Sequence, residues 1–197
     1  MQPHGLARGF SASLLRWIGV AVIVGLTACQ PSDPLEVRVS AATPVAFAMW
    51  QSRQFSEGRA PLRKDFDFAC QEIRLKIMAD REASGSEPVD RALREKIDGR
   101  PVREVLQLGW ESRLWRLYPE YAELERVIAV NAALETRPGD TLSARHLRDT
   151  HVAHVTRLER VRGEIAAAER ALAPLVQKTG RRFIPPRKTG DDGAARR

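Results

Sequence analysis

The chain has 197 residues, 43% of them hydrophobic and 29% charged, with a formal charge of +7 and a pI near 10.1. That length and apolar content suit one packed domain. The high pI describes the ends of the chain: removing residues 1–28 takes away Arg8 and Arg16 and lowers +7 to +5, and Arg181, Arg182, Arg187, Lys188, Arg196 and Arg197 against Asp191 and Asp192 give the last nineteen residues +4 of that +5. The part between is nearly neutral, so the high pI belongs to the tail, which is read as a solubilising segment or as a partner for anionic lipid or cell-wall polymer rather than for nucleic acid. No glycine-rich phosphate loop, nucleophile elbow, Cys-x-x-Cys or His-Glu-x-x-His occurs, so the chain is read as non-enzymatic and without a resident cofactor.

The first element is export machinery. Arg8 and Arg16 are the only charges before Asp33, and Trp17 to Ala28 is an uncharged twelve-residue run, the length of a signal-peptide apolar region and short of the ~18 residues that a spanning helix needs. Pro31, Asp33 and Pro34 bar its extension. The run ends in Leu26-Thr27-Ala28-Cys29, which resembles the lipobox of bacterial lipoprotein precursors. The resemblance implies cleavage before Cys29 and acylation of Cys29 as the new amino terminus. It also implies the periplasmic face of the outer membrane, because Gln30 stands where such lipoproteins carry an inner-membrane retention aspartate. Two acyl signals already give stable attachment, so the membrane is the first expected partner. Residues 1–28 are then signal peptide and 29–43 a lipidated tether rich in Pro, Ser, Asp and Ala.

The remainder is predicted to be helical from 44 to 178. Thr43 before Pro44 is a cap with a first-turn proline, opening a short helix through Trp50. Leu62, Phe66, Ala69, Ile73 and Ile77 recur every three or four residues and form one helix face, with Phe68, Leu75 and Met78 as a second strip. Cys70 falls among the apolar positions, and with Cys29 acylated it has no disulfide partner; it is read as a small core residue. Ser84-Gly85-Ser86 breaks this helix and caps the next, which carries Val89, Leu93 and Ile97 and stops at Asp98-Gly99. Pro101 opens a long helix in which Trp110, Leu114, Leu117, Tyr121, Leu124, Ile128 and Asn131 advance by four and three, a heptad seam. Pro119 sits within it as a predicted kink. After Arg137-Pro138-Gly139-Asp140, a second seam runs through Leu147, His151, His154, Leu158, Val161, Ile165, Ala168, Leu172 and Leu175. Two segments of about 36 residues, about 54 Å each, joined by a tight turn predict an elongated all-α fold: an antiparallel coiled-coil hairpin over about 101–177, with the shorter amino-terminal helices packed on it. Residues 179–197 are predicted to be a basic disordered tail.

Asn131 occupies an apolar slot and is predicted to set register. His151 and His154, three apart on one face and close to His146, are the one candidate site for a divalent transition metal; folding about Gly139 would put His154 near Leu124 and His151 near Val127, with Glu123 and Glu125 alongside. Protonation of the same pair would weaken the seam beside Leu158. The leading functional expectation is a membrane-anchored envelope lipoprotein whose hairpin is a docking or spacer module for a protein partner, followed by a periplasmic metal-binding or metal-sensing protein, then a holdase-type chaperone.

Overall fold

The computed structural model describes residues 33–56, 58–134, 140–180 and 183–184. The chain divides into Met1–Pro34 and Leu35–Arg197; among the described residues a 3-10 turn, Pro34–Glu36, is followed in the second unit by five α-helices, and the fold is all-α: α1 (Pro44–Gln54), α2 (Ala60–Ala79), α3 (Ser86–Ile97), α4 (Val102–Ala132) and α5 (Thr141–Thr179). The signal segment, Cys29 and the charges of the tail lie outside the described residues.

Local chemistry sets the helix ends. The Thr43 hydroxyl accepts from the Ala46 amide at 3.1 Å, and Asp140 accepts from the Ser143 amide at 3.0 Å, each satisfying a donor that a first turn leaves free. That amide holds the Asp140 carboxyl below its ordinary range. Helix α2 closes earlier than Ser84-Gly85-Ser86 suggests. Glu82 donates to the Ile77 carbonyl and Arg81 to that of Met78, the paired bonds of a Schellman stop, with Arg81 at φ 57° where glycine is usual. At the start of α3, Gly85 occupies the cap position and no side chain caps it, so the expected serine cap is replaced by backbone alone.

Residues 35–41, expected to belong to the tether, are instead fastened to the turn between α3 and α4. Val39 donates to the Arg100 carbonyl (2.8 Å) and accepts from Gly99 (2.9 Å), while Val102 donates to Val37 (2.9 Å). The Ala41 amide donates to Asp98 Oδ1 (2.6 Å), and Arg103 Nε to Glu36 Oε1 (2.8 Å). Val39 and Ala41 are buried. This clasp completes a core built from Phe66, Ala69, Cys70, Ile73 and Ile77 of α2, Val89, Leu93 and Ile97 of α3, Val102, Val105 and Leu106 of α4, and Leu175 of α5. Phe47 and Trp50 of α1 reach the same core through Phe66, with ring centroids 6.3 and 5.4 Å away.

Helices α4 and α5 run antiparallel: Gln107 meets Thr179, Tyr118 meets Glu169, Glu120 meets Arg157 and Asn131 meets His154. The longest element is α5, with 39 residues against 31 in α4. Pro119 lies within α4 and is exposed, so the Trp115 carbonyl that loses its amide partner is on the solvent side. Helix α5 accommodates an unforeseen proline in the same way, Pro174 being exposed within it. The tail was expected to start at 179, yet Thr179 is the last residue of α5, and Phe183 stacks on Tyr118 at 6.3 Å.

Candidate functional site: the α4–α5 pair and its far end

Apolar side chains fill the contact between α4 and α5. Leu117, Leu124 and Val161 are buried, with Tyr121, Leu158 and Ile165 packed against them. Leu114, Ala168 and Leu172 form the adjoining cluster, to which Trp110 contributes from a half-buried position. Trp110 also packs on Phe68 of α2 at 4.6 Å, which joins the seam to the body. The Tyr121 hydroxyl accepts from Arg162 at 3.4 Å.

The register differs from that of a turn centred on Gly139. His154 lies against Asn131, not Leu124, a displacement of seven residues along α4. Asn131 Nδ2 donates to His154 Nδ1 at 3.2 Å, so the neutral ring carries its proton on Nε2. A seven-residue shift preserves the alternation of apolar positions, so apolar spacing alone does not choose between the two alignments. Polar partners do: Tyr118 with Glu169 and Thr179 with Gln107 (2.7 Å) fit the observed one, while the long side chains of Glu120 and Arg157 (2.6 Å) reach along the pair to meet from positions further apart. As a result α5 begins well beyond the end of α4. With Asn131 and His154 level, residues 141 to about 150, roughly 15 Å of helix, have no α4 backbone opposite.

This overhang borders an open groove lined by Asn131, Leu134, Leu142, His146, Leu147 and Thr150 among others. Leu142 is 80% exposed, Leu134 54% and Val130 50%. Leu134 and Leu142 escaped the sequence reading because they lie off the heptad seam, where an apolar residue carries no periodic signal.

The histidines are not brought into a ligand set. His154 has Nδ1 engaged by Asn131, His151 is half-buried on the same face, and His146 is exposed in the groove. Glu123 is paired with Arg126 at 2.6 Å, an arrangement that holds its carboxyl below the usual range. Among the described residues, no group of three or more His, Cys, Asp and Glu converges. Cys70 is buried in the core, and desolvation pushes its thiol up to about 12.

At the root of the pair sits a network that the sequence reading missed. Glu72 of α2 is only 4% exposed. Its Oε1 accepts from Arg113 (2.7 Å) and Arg116 (3.0 Å) of α4, and Arg113 reaches on to Glu164 of α5 at 2.9 Å. The Arg113 guanidinium also lies over the Phe68 ring, 5.3 Å from its centroid. A buried carboxylate shared by two arginines ties three helices at one level, since removing any partner strands a desolvated charge. Just below, α2 and α4 touch backbone to backbone: a Cβ at Gly109 would lie 2.4 Å from both Cα and Cβ of Ala69. A lone glycine inside a helical apolar pattern was the available signal. The local arrangement holds one end of α4 rigidly and leaves the other covered by α5 alone.

No protein-family model matches this chain, and neither a curated protein nor a solved structure matches it.

Proposed function

We propose that this chain is a non-enzymatic, lipid-anchored envelope protein in which an antiparallel coiled-coil hairpin, α4 with α5, works as a spacer and docking module. Acylated Cys29 would supply the anchor, and Gln30 after it favours the periplasmic face of the outer membrane. The observation that carries the docking role is the unpaired end of the hairpin. Val130, Leu134 and Leu142 are exposed there beside the groove of the overhang, and contiguous exposed apolar side chains mark interaction sites more often than idle surface. The body supports the spacer role: the clasp, α2, α3 and the Glu72 network all hold the first half of α4, whose start lies about 45 Å from its end along 31 residues.

A photo-crosslinking residue placed at Leu142 in cells, with Arg91 on exposed α3 as the control position, tests the reading. A discrete protein adduct at 142 and none at 91 is the expected result. Equal labelling at both positions, or none at 142, refutes docking through the far end.

A further inference from the structure

Two exposed apolar surfaces stand on the described residues, one at the far end of the α4–α5 pair and one on α1. In α1, Val45 is 69% exposed and Met49 50%, and Ala48 between them is also exposed. Positions 45, 48, 49 and 52 share a face, opposite the face on which Phe47 and Trp50 stack at 6.2 Å and join the core. Only one charge, Arg53, occurs in the eleven residues, and it is basic. Arg59, Arg63 and Lys64 follow, against Glu57, Asp65 and Asp67, so residues 45–67 carry a net charge of only +1, and Arg63 lies 3.7 Å from Asp67. An apolar helix face with few charges beside it suits a helix lying in a bilayer interface, where apolar burial supplies the attraction.

The length of chain between anchor and body chooses the occupant. Taking Cys29 as acylated, as the proposed function has it, six peptide steps lead to Leu35, about 20 Å at full extension. From there the chain is held: Val37 and Val39 are hydrogen-bonded to the α3–α4 turn, Ala41 to Asp98, and Thr43 caps α1. Helix α1 therefore belongs to the anchored end of the body. The other patch lies at the opposite end of α4, whose first residue, Val102, is itself bonded into the clasp. A protein partner is the fitting occupant of the remote patch, and the bilayer is the fitting occupant of the near one.

We infer that the Val45–Ala48–Met49 face of α1 rests on the membrane that holds the lipid of Cys29, so that the protein is attached through its acyl chains and through this helix together. Two contacts orient the body, whereas a lipid alone would leave it free to swing.

The test uses the full acylated chain, purified from membranes and reconstituted into vesicles of phosphatidylethanolamine and phosphatidylglycerol bearing a lipid-tethered quencher. Met49→Cys and Val152→Cys variants carry an environment-sensitive fluorophore; Cys70 is buried and Cys29 is blocked by its acyl chain. Mass spectrometry of the amino-terminal peptide is read first. An unmodified Cys29 overturns the anchoring reading and this inference with it. With Cys29 acylated, blue-shifted emission and quenching several-fold stronger at 49 than at 152 are expected. Water-like emission at 49, unquenched as at 152, overturns the inference while leaving the anchor intact. Blue-shifted emission at 49 that the lipid quencher does not touch also overturns it, since a protein then covers the face.

Discussion

Replacing Gly109 with alanine isolates the contact that sets the spacing of α2 and α4. The added Cβ would lie 2.4 Å from Ala69 Cα and 2.4 Å from Ala69 Cβ, more than 1 Å inside ordinary carbon contact, so one helix must move. Ala69 sits between Phe66, Cys70 and Ile73, all buried, and displacing them costs about 3 kcal/mol, the upper range for overpacking. Alanine in a helix interior returns about 1 kcal/mol relative to glycine, leaving a net loss of about 2 kcal/mol. Gly163→Ala in α5 is the matched control, because nothing lies within 4 Å of its new Cβ, and it should gain up to about 1 kcal/mol. Urea unfolding of the unacylated chain, followed by circular dichroism and tryptophan fluorescence, should show Gly109→Ala melting about 1 M earlier and Gly163→Ala up to about 0.5 M later, at an m-value near 2 kcal/mol/M. Adding Ala69→Gly should restore only part of the loss, since the Cα clash persists. Equal stabilisation by both alanines would refute the close approach.

Glu72→Gln leaves Arg113 and Arg116 facing a neutral amide, but both are partly exposed and Arg113 keeps Glu164, so it should cost about 1–3 kcal/mol, read in the same urea titration, with less loss when both arginines are also replaced by methionine. Cys70, with its thiol raised to about 12 by burial, should resist thiol reagents at pH 8 and react fully in urea; because the folded value lies above the ordinary 9, its contribution to stability is whole below pH 9 and declines as pH climbs toward 12. Tyr118 is held near 12 by desolvation and by its bond to Glu169, so the phenolate absorbance that appears only above about pH 11 should vanish in Tyr118→Phe. Arg81→Gly relieves a left-handed residue at the end of α2 and should raise stability by about 1 kcal/mol in thermal melts.

The helices were legible because each is specified within its own turn-to-turn spacing. Leu93 follows Val89 and Ile97 follows Leu93 at one interval, and Thr43 announces its cap. What lay between helices was harder, for distinct reasons. The heptad rows of α4 and α5 are degenerate under a seven-residue slip, so only cross-helix polar pairs such as Asn131 with His154 discriminate. The clasp left a brief trace, Val37, Val39 and Ala41 alternating over five residues, too short to separate from a linker rich in serine and proline. Glu72 gave less still: a glutamate beside Ile73 reads as surface until the arginines of another helix are known to reach it. The lipobox-like segment, the acylation of Cys29 and the basic tail remain readings of sequence, since they fall outside the described residues.

The uneven holding of α4 bears on the docking role proposed for its far end. Its first half is gripped by the clasp through Val102, by Ala69 at Gly109 and by Glu72 through Arg113 and Arg116. Beyond Leu124 the seam holds half-buried Ile128 and Asn131 against half-buried His151 and His154, where packing is thinner and polar. Stability is thus concentrated at the root, and sequence change near Leu134 and Leu142 is nearly free of folding cost. The proposed spacer role would use that division: a firmly held base would transmit position from an anchor, and an end that contributes little to folding would be free to match a partner's surface.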